Sequence, residues 1–388
     1  MSGSTALVIC PTGDASRSVE RKLAGLTVGE RLLVAFLGVG PRPESARAEI
    51  EIFEPTLHNG PAEGEDFLLL PADLVFERSL VRPGAEPAPD LPLRRMPASA
   101  WKAVLADPEG FLGLLGLGRL AGPGNYALRV YDSHSVRAAK RGLFGSLTKS
   151  VDGIVARYLN RHVSLIVTRM LVGTGVTPNQ LTVAILPLGL AAGVAAAFAE
   201  HWWMLLLAGL LLQLQSILDG CDGEIARLTY RYSKLGQWLD TIGDDLTNYC
   251  FCLGLAIGQA RVLDVPWWYA VGGAVFALQW ATSLIMYQRM FKLGTGDMTA
   301  LPNLVTQKNP SGFKAQLLRV GRIVTKRDFF VFIIALFTAV QLPLVAFLTA
   351  AVGTVPAFLG VLGNELKLRK LIAQTGDQSR LPDSSGEV

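Results

Sequence analysis

The chain has 388 residues, of which half are hydrophobic and only 18% are charged, and its mean hydropathy is +0.36. Because an ordinary soluble domain carries about 25% charged residues, this composition excludes such a domain and indicates a membrane protein. The net charge of +4 is too small to indicate a nucleic-acid-binding protein. Apolar runs long enough to span a bilayer occur only after residue 180, which predicts two domains.

The N-terminal region begins with an apolar strand, residues 5–10, that runs into a loop of small and polar residues. A second apolar strand covers residues 67–70. Residues 125–131 alternate between apolar and polar side chains, which predicts a last strand before the basic linker. The start of the chain has neither a basic leader nor an apolar signal core, so we expect this region to lie in the cytosol.

This order resembles the opening of sugar-phosphate nucleotidyltransferases, in which a glycine-rich loop follows the first strand and a metal-binding aspartate ends a later one. The corresponding residues here are Gly13, Arg17, Lys22 and Asp73. Ala15 replaces the second loop glycine, and its side chain hinders the approach of the backbone to phosphate. Residues 1–132 are therefore predicted to form a small, degenerate α/β nucleotidyltransferase-like domain without catalysis. The alternative is a bifunctional enzyme whose N-terminal domain makes the CDP-linked donor.

Residues 133–175 are predicted to form a basic linker and an amphipathic helix that lies in the membrane interface. Thr177 and Pro178 can then cap and begin the first membrane helix. We expect six spans between residues 176 and 370, followed by a disordered tail over 371–388. The predicted spans are 179–199, 202–226, 236–258, 266–289, 327–341 and 343–366.

Basic residues concentrate in the segments 227–234 and 289–327 and in the C-terminal tail. By the positive-inside rule, both termini face the cytosol in this prediction, and the protein lies in the inner (plasma) membrane. We also expect membrane lipids among its partners.

Four aspartates recur at helical spacing near the cytosolic ends of spans two and three. Asp219 and Asp222 share one helix face, and Asp240 and Asp244 share a face of the next helix. Ionised carboxylates close to lipid are costly unless they are paired or bind metal, so this cluster predicts a cation site. Oxygen ligands alone favour magnesium or manganese.

The segment reads D-x2-D-G-x2-A-R-x8-G-x3-D-x3-D and resembles the motif of the CDP-alcohol phosphotransferase family at every specified position. The resemblance implies a mainly α fold with a six-helix transmembrane domain, a homodimer, and two Mg²⁺ or Mn²⁺ ions held by Asp219, Asp222, Asp240 and Asp244. It assigns Asp244 also to catalysis, as the base that deprotonates the incoming hydroxyl. The implied nucleotide site comprises Asn179, Asp219, Asp222, Gly223, Ala226, Arg227 and Gly236.

Such enzymes transfer a substituted phosphoryl group from a CDP-alcohol to an acceptor alcohol and release CMP. The domain order and Arg327-Asp328 resemble the di-myo-inositol phosphate phosphate synthase-like subgroup. This resemblance implies an inositol phosphate as the first choice of acceptor, ahead of glycerol phosphate, inositol or another polyol, and CDP-diacylglycerol or a CDP-polyol as donor. Basic residues near the motif are the candidate acceptor site: Arg231, Lys234, Lys326 and Arg327. A cation carrier that uses its buried aspartates is the alternative from another class.

Overall fold

The computed structural model describes residues 7–10, 22–28, 31, 67–71, 74–76, 94–107, 110–111, 118–120, 126–148, 153–296, 298 and 326–375. Contacts divide the chain into two compact units. The first comprises the described parts of Met1–Val151 together with Thr168–Val176 and Glu224–Tyr232. The second comprises Asp152–Val167, Thr177–Gly223 and the described parts of Ser233–Val388.

The first unit contains short strands in three small sheets. Strand β1 (Leu7–Cys10) pairs in parallel with β4 (Phe67–Pro71), which pairs antiparallel with β6 (Arg94–Met96). Strand β8 (Tyr126–Arg129) lies between β5 (Leu74–Phe76) and β7 (Gly118–Leu120), antiparallel to both. Strands β2 (Lys22–Leu23) and β3 (Leu26–Thr27) form a hairpin, and helix α1 covers Trp101–Ala106.

The three strands predicted from sequence are therefore confirmed as β1, β4 and β8. Gly13, Ala15, Arg17 and Asp73 lie outside the described residues, and Lys22 is described only as part of β2. The nucleotidyltransferase-like character of this region stays a prediction.

Helix α2 (Ser133–Gly145) occupies the start of the segment that was expected to be a basic linker. Asp132 caps it, because its carboxylate accepts from the Ser135 backbone N–H at 2.7 Å while Ser135 Oγ accepts from the Asp132 N–H at 3.0 Å. The hydrogen bond from the Ser135 side chain also lowers the pKa of the Asp132 carboxyl. Gly142 of α2 packs closely on the ring of Tyr126, so the helix covers β8.

The expected amphipathic helix is present as a π-helical turn, Ala156–Asn160, that continues into α3 (Arg161–Leu171). Its buried face includes polar residues: Asn160 Oδ1 accepts from Gln213 Nε2 at 2.9 Å, and Thr168 Oγ1 donates to Glu224 Oε2 at 2.6 Å. Its exposed residues include large apolar side chains such as Tyr158 and Met170 together with Arg157 and Arg169. This mixture of apolar and basic side chains suits a helix that lies in the membrane interface.

Six helices follow in the described part of the chain. They are α4 (Pro178–Ala196), α5 (Trp202–Thr229), α6 (Lys234–Leu263), α7 (Trp267–Leu293), α8 (Arg327–Ala339) and α9 (Pro343–Thr375). The predicted cap is confirmed, since Thr177 and Gln180 bond reciprocally at the start of α4. Pro343 begins α9 and separates it from α8, as expected.

Four of these helices, α4, α5, α7 and α9, are long and apolar enough to cross a membrane. The chain is thus a membrane protein. Of the six predicted spans, four are supported among the described residues. Helix α8 has 13 residues, or about 20 Å at 1.5 Å per residue, which is short for a 30 Å hydrocarbon core. The prediction of a disordered tail over 371–388 is wrong at its start, because α9 runs to Thr375. Residues 376–388 lie outside the described residues.

Small residues bring α4 and α6 together. A side chain at Gly254 of α6 would collide with the backbone of Gly193 on α4, and one at Gly193 would lie 2.9 Å from the Cys250 carbonyl oxygen. This close packing is typical of membrane helices. It sets α6, which carries two of the motif aspartates, directly against α4, which carries Asn179.

Candidate metal centre and its surroundings

Three of the four motif aspartates form one cluster. Asp219 and Asp222 project from α5 and Asp240 from α6, and one carboxylate oxygen of each lies within 4.8 Å of the others. The three-residue spacing of the α5 pair puts both on one helix face, as the sequence predicted. Like charges at this distance repel, so a bound cation would stabilise the arrangement.

Asp222 is the most buried member, with 8% of its surface exposed. Its carboxylate accepts hydrogen bonds from Thr182 Oγ1 of α4 and, at 2.5 Å, from the Gly223 N–H. Sequence reasoning assigned no role to Thr182. The pattern that could have found it is its position three residues after Asn179, on the same face of α4.

Asp244 is placed differently from the other three aspartates. Its carboxylate forms an ion pair with the guanidinium of Arg327, the first residue of α8. The same guanidinium lies 3.3 Å from Asp219 Oδ2. Arg327 was predicted to bind the acceptor, and the structure brings it into direct contact with two motif acids.

Asp328 fixes the start of α8 beside Arg327. Its Oδ2 accepts from the Ala156 backbone N–H at 2.8 Å, and its carboxylate packs against Gly153, where a larger residue would collide. The beginning of α8 is thereby tied to the first turn of the amphipathic helix. Arg327 consequently projects from an anchored position.

Asn179 and Gly236 meet at the start of α6. Ser233 Oγ caps α6 by accepting from the Gly236 N–H at 2.9 Å, and the Ser233 hydroxyl lies 3.3 Å from Asn179 Oδ1. A side-chain carbon at Gly236 would lie 2.6 Å from Asn179 Oδ1, so glycine allows this close approach. By contrast, a side chain at Gly223 would meet no atom within 4 Å, which leaves open space beside Asp222.

The remaining predicted site residues lie at helix ends. Ala226 and Arg227 occupy the next turn of α5 after Gly223 and are half-buried, and Arg231 follows that helix. Lys234 begins α6 and is exposed, while Lys326 is the N-cap residue of α8. The described contacts join Arg327 to the aspartates, but none of them joins Lys234 or Arg231 to these acids.

The residues present fit a divalent cation. The group of three offers carboxylate oxygens only, which is the donor set that magnesium and manganese prefer, and it is partly open on the side of Gly223. Asp219, Asp222 and Asp240 would hold the ion.

Comparison with known proteins agrees with this geometry. The sequence model of the family described as CDP-alcohol phosphatidyltransferase matches residues 175–361. A relative from Aquifex aeolicus, named bifunctional IPC transferase and DIPP synthase, is 38% identical over 149 residues, which are 38% of this chain and 33% of the relative. A protein of the same name from Thermococcus kodakarensis is 41% identical over 137 residues, 35% of this chain and 30% of the relative.

An archaetidylinositol phosphate synthase from Pyrococcus horikoshii is 33% identical over 104 residues, which are 27% of this chain and 53% of that protein. The chain thus spans about a third of the bifunctional relatives and about half of this shorter one. These matches confirm the predicted resemblance to the DIPP synthase-like subgroup. Residues 175–361 of this chain are thus similar to the CDP-alcohol phosphatidyltransferase family.

Proposed function

We propose that this protein is a membrane transferase that moves a substituted phosphoryl group from a CDP-alcohol to an acceptor alcohol and releases CMP. The observation that carries the proposal is the group of Asp219, Asp222 and Asp240, whose carboxylates converge within a matched family domain. A cation carrier is disfavoured, because these acids gather at the ends of two helices near Asn179 and Gly236 instead of lining a path through the membrane.

In this mechanism, Asp219, Asp222 and Asp240 would hold two Mg²⁺ or Mn²⁺ ions, with Asp244 as a further ligand. When bound, such ions neutralise the diphosphate and polarise the phosphorus that is attacked. The acceptor oxygen forms a bond to the phosphorus next to the donated alcohol, and the bond from that phosphorus to the oxygen of CMP breaks. Asp244 accepts the proton of the acceptor hydroxyl, and CMP leaves with the electron pair of the broken bond.

The donor nucleotide would lie along the motif helix. We assign its contacts to Asn179, Gly223, Ala226, Arg227 and Gly236, together with Asp219 and Asp222 through the metal. The open space at Gly223 supports this assignment. Arg227 is suited to the diphosphate because a guanidinium can donate two hydrogen bonds to phosphate oxygens.

An inositol phosphate is our proposed acceptor, with CDP-diacylglycerol or a CDP-polyol as donor. The names of the similar proteins support this class of acceptor. Arg231, Lys234, Lys326 and Arg327 would bind the acceptor phosphate. We also propose that the active site and both termini face the cytosol and that the protein forms a homodimer through its membrane domain.

The function is tested by measuring release of radiolabelled CMP by the purified full-length protein. The donors are CDP-diacylglycerol and a CDP-polyol, each with inositol phosphate, glycerol phosphate, inositol or no acceptor. We expect release that depends on both donor and acceptor, and fastest with inositol phosphate. Absence of acceptor-dependent release from every pair would contradict the proposal.

Arg327→Gln should raise the KM for a phosphorylated acceptor by about tenfold to a hundredfold, because a charge-assisted hydrogen bond contributes about 1.5 to 3 kcal/mol. Its ion pair with Asp244 is also lost, which changes the rate with every acceptor. The informative quantity is therefore the difference in KM change between inositol phosphate and free inositol, measured by CMP release.

Arg369→Gln is the matched control, since Arg369 is an exposed arginine of the same domain that pairs with Glu365 within one helix at 2.9 Å. It should leave both KM values unchanged. If Arg327→Gln changes the KM for inositol phosphate and for inositol equally, Arg327 does not bind the acceptor phosphate.

A further inference from the structure

The helix that carries Arg227 ends in a strained turn. Helix α5 stops at Thr229, and Tyr230 follows in the left-handed region with φ of +54°. The Arg231 N–H then donates to the Ala226 carbonyl at 3.0 Å and closes the helix end. A left-handed conformation is unfavourable for a bulky residue such as tyrosine. Neighbouring groups must therefore hold Tyr230 in place.

A tight hairpin of the N-terminal region packs against this helix end. Its two strands, β2 and β3, are joined by Ala24 and Gly25, which both have positive φ, +47° and +87°. A side-chain carbon at Gly25 would lie 2.6 Å from the carbonyl oxygen of Val172 and 3.3 Å from Cγ2 of Thr229. The hairpin tip thus contacts the residues that follow α3 and the last residue of α5.

Arg31 connects the hairpin to Tyr230. The side chain is 3% exposed, and its Nε and Nη2 donate to the Leu23 carbonyl at 3.1 and 2.5 Å. Nη2 also donates to the Ala24 carbonyl at 3.0 Å, so the guanidinium fixes the turn. The guanidinium carbon lies 5.9 Å from the centre of the Tyr230 ring, within the range of a cation–π interaction.

We propose that the hairpin 22–27 together with Arg31, here called the hairpin clamp, holds the end of α5 and so positions Arg227 for the donor diphosphate. Arg31 is then a positioning residue, which acts through Tyr230 and does not touch the substrate. The inference rests on the proposed function, since it takes Arg227 to bind the donor. It gives the N-terminal region a role in donor binding that requires no catalysis by that region.

The test compares Arg31→Gln with Arg137→Gln in the full-length protein. Arg137 is an exposed arginine on α2 of the same compact unit. Hydrogen–deuterium exchange of residues 224–232 should be faster in Arg31→Gln and unchanged in Arg137→Gln. The donor KM should rise about tenfold in Arg31→Gln with kcat nearly unchanged, because a displaced Arg227 weakens binding of substrate and transition state alike. Arg31→Lys, which keeps a cation and donors, should restore part of the donor affinity.

Gly25→Ala tests the clamp without changing Arg31. The added methyl group meets the Val172 carbonyl and strains a turn residue with φ of +87°, so the tip is pushed off the helix end. We expect the same faster exchange over 224–232 and the same rise in donor KM. Unchanged exchange in both variants, or faster exchange without a rise in donor KM, would overturn the proposal. If the wild type releases no CMP from any donor, the proposed function fails instead, and the exchange measurement still decides whether the clamp exists.

Discussion

Asp222→Asn should lower the rate of CMP release by about a thousandfold, equivalent to a loss of about 4 kcal/mol in transition-state stabilisation. Asp222 is the most buried of the three clustered residues, and one of its carboxylate oxygens lies within 4.8 Å of one oxygen each of Asp219 and Asp240. An amide carries no negative charge and offers one oxygen, so it is a much weaker ligand for magnesium or manganese. The measurement is CMP release at saturating donor and acceptor.

The control is Asp264→Asn. Asp264 is an exposed residue that ends α6 in the left-handed region, φ +49°, a conformation that asparagine adopts readily. This substitution makes the same chemical change outside the cluster and should leave activity unaltered. Thermal unfolding of both purified variants checks that the proteins are folded. A folded Asp222→Asn with activity within about threefold of the wild type, less than 1 kcal/mol, would contradict the metal-ligand role.

Asp244→Asn should lower kcat by about a hundredfold to ten thousandfold, the range that general base catalysis contributes, and should weaken donor binding less than Asp219→Asn does. The structure supports a separate role, because Asp244 lies outside the group of three carboxylates that converge on one another. A base acts on the acceptor after the donor is bound. Its loss therefore affects the chemical step more than binding of the CDP-alcohol.

The comparison is Asp219→Asn, which removes a proposed metal ligand and should weaken donor binding together with kcat. Donor affinity is measured by equilibrium binding of a CDP-alcohol in the absence of acceptor, with the metal present. Equal loss of donor binding in Asp219→Asn and Asp244→Asn would reduce Asp244 to a ligand. Activity of Asp244→Asn equal to that of the wild type would exclude it as the base.

The local spacing of the motif made its helix faces predictable. Asp219 and Asp222 are three residues apart, which puts them on one side of any helix, and the apolar runs around them indicated where the helices lie. The cap formed by Thr177 and Gln180 was predictable for the same reason, since it depends on residues three apart.

Contacts between distant segments were not predictable in this way. Arg327 lies 83 residues after Asp244, and Thr182 lies 40 residues before Asp222, so neither pairing follows from helical periodicity. Glu224 occupies a variable position of the motif, yet it is fully buried and accepts from Thr168. These partners depend on how α3, α4 and α8 pack, which the hydropathy of each helix does not determine.

The extent of the helices was also harder to predict than their presence. Helix α9 continues past its apolar part to Thr375 through Lys367, Arg369 and Lys370, where Arg369 and Glu365 pair across one turn. A prediction from composition ends a membrane span at the first charged residues. Pairs of opposite charge four residues apart nevertheless stabilise a helix in water, so the helix continues beyond the span. The N-terminal loop residues Gly13 and Arg17 lie outside the described residues, so the nucleotidyltransferase-like prediction rests on sequence alone.

In the proposed mechanism, the aspartates of α5 and α6 hold divalent cations for transfer from a CDP-alcohol. Its most direct test is CMP release by the purified wild-type protein in excess chelator, followed by addition of magnesium or manganese. We predict that the chelator abolishes release and that either ion restores it, whereas Asp222→Asn is not restored at the same ion concentration. Full wild-type activity in excess chelator would contradict the mechanism.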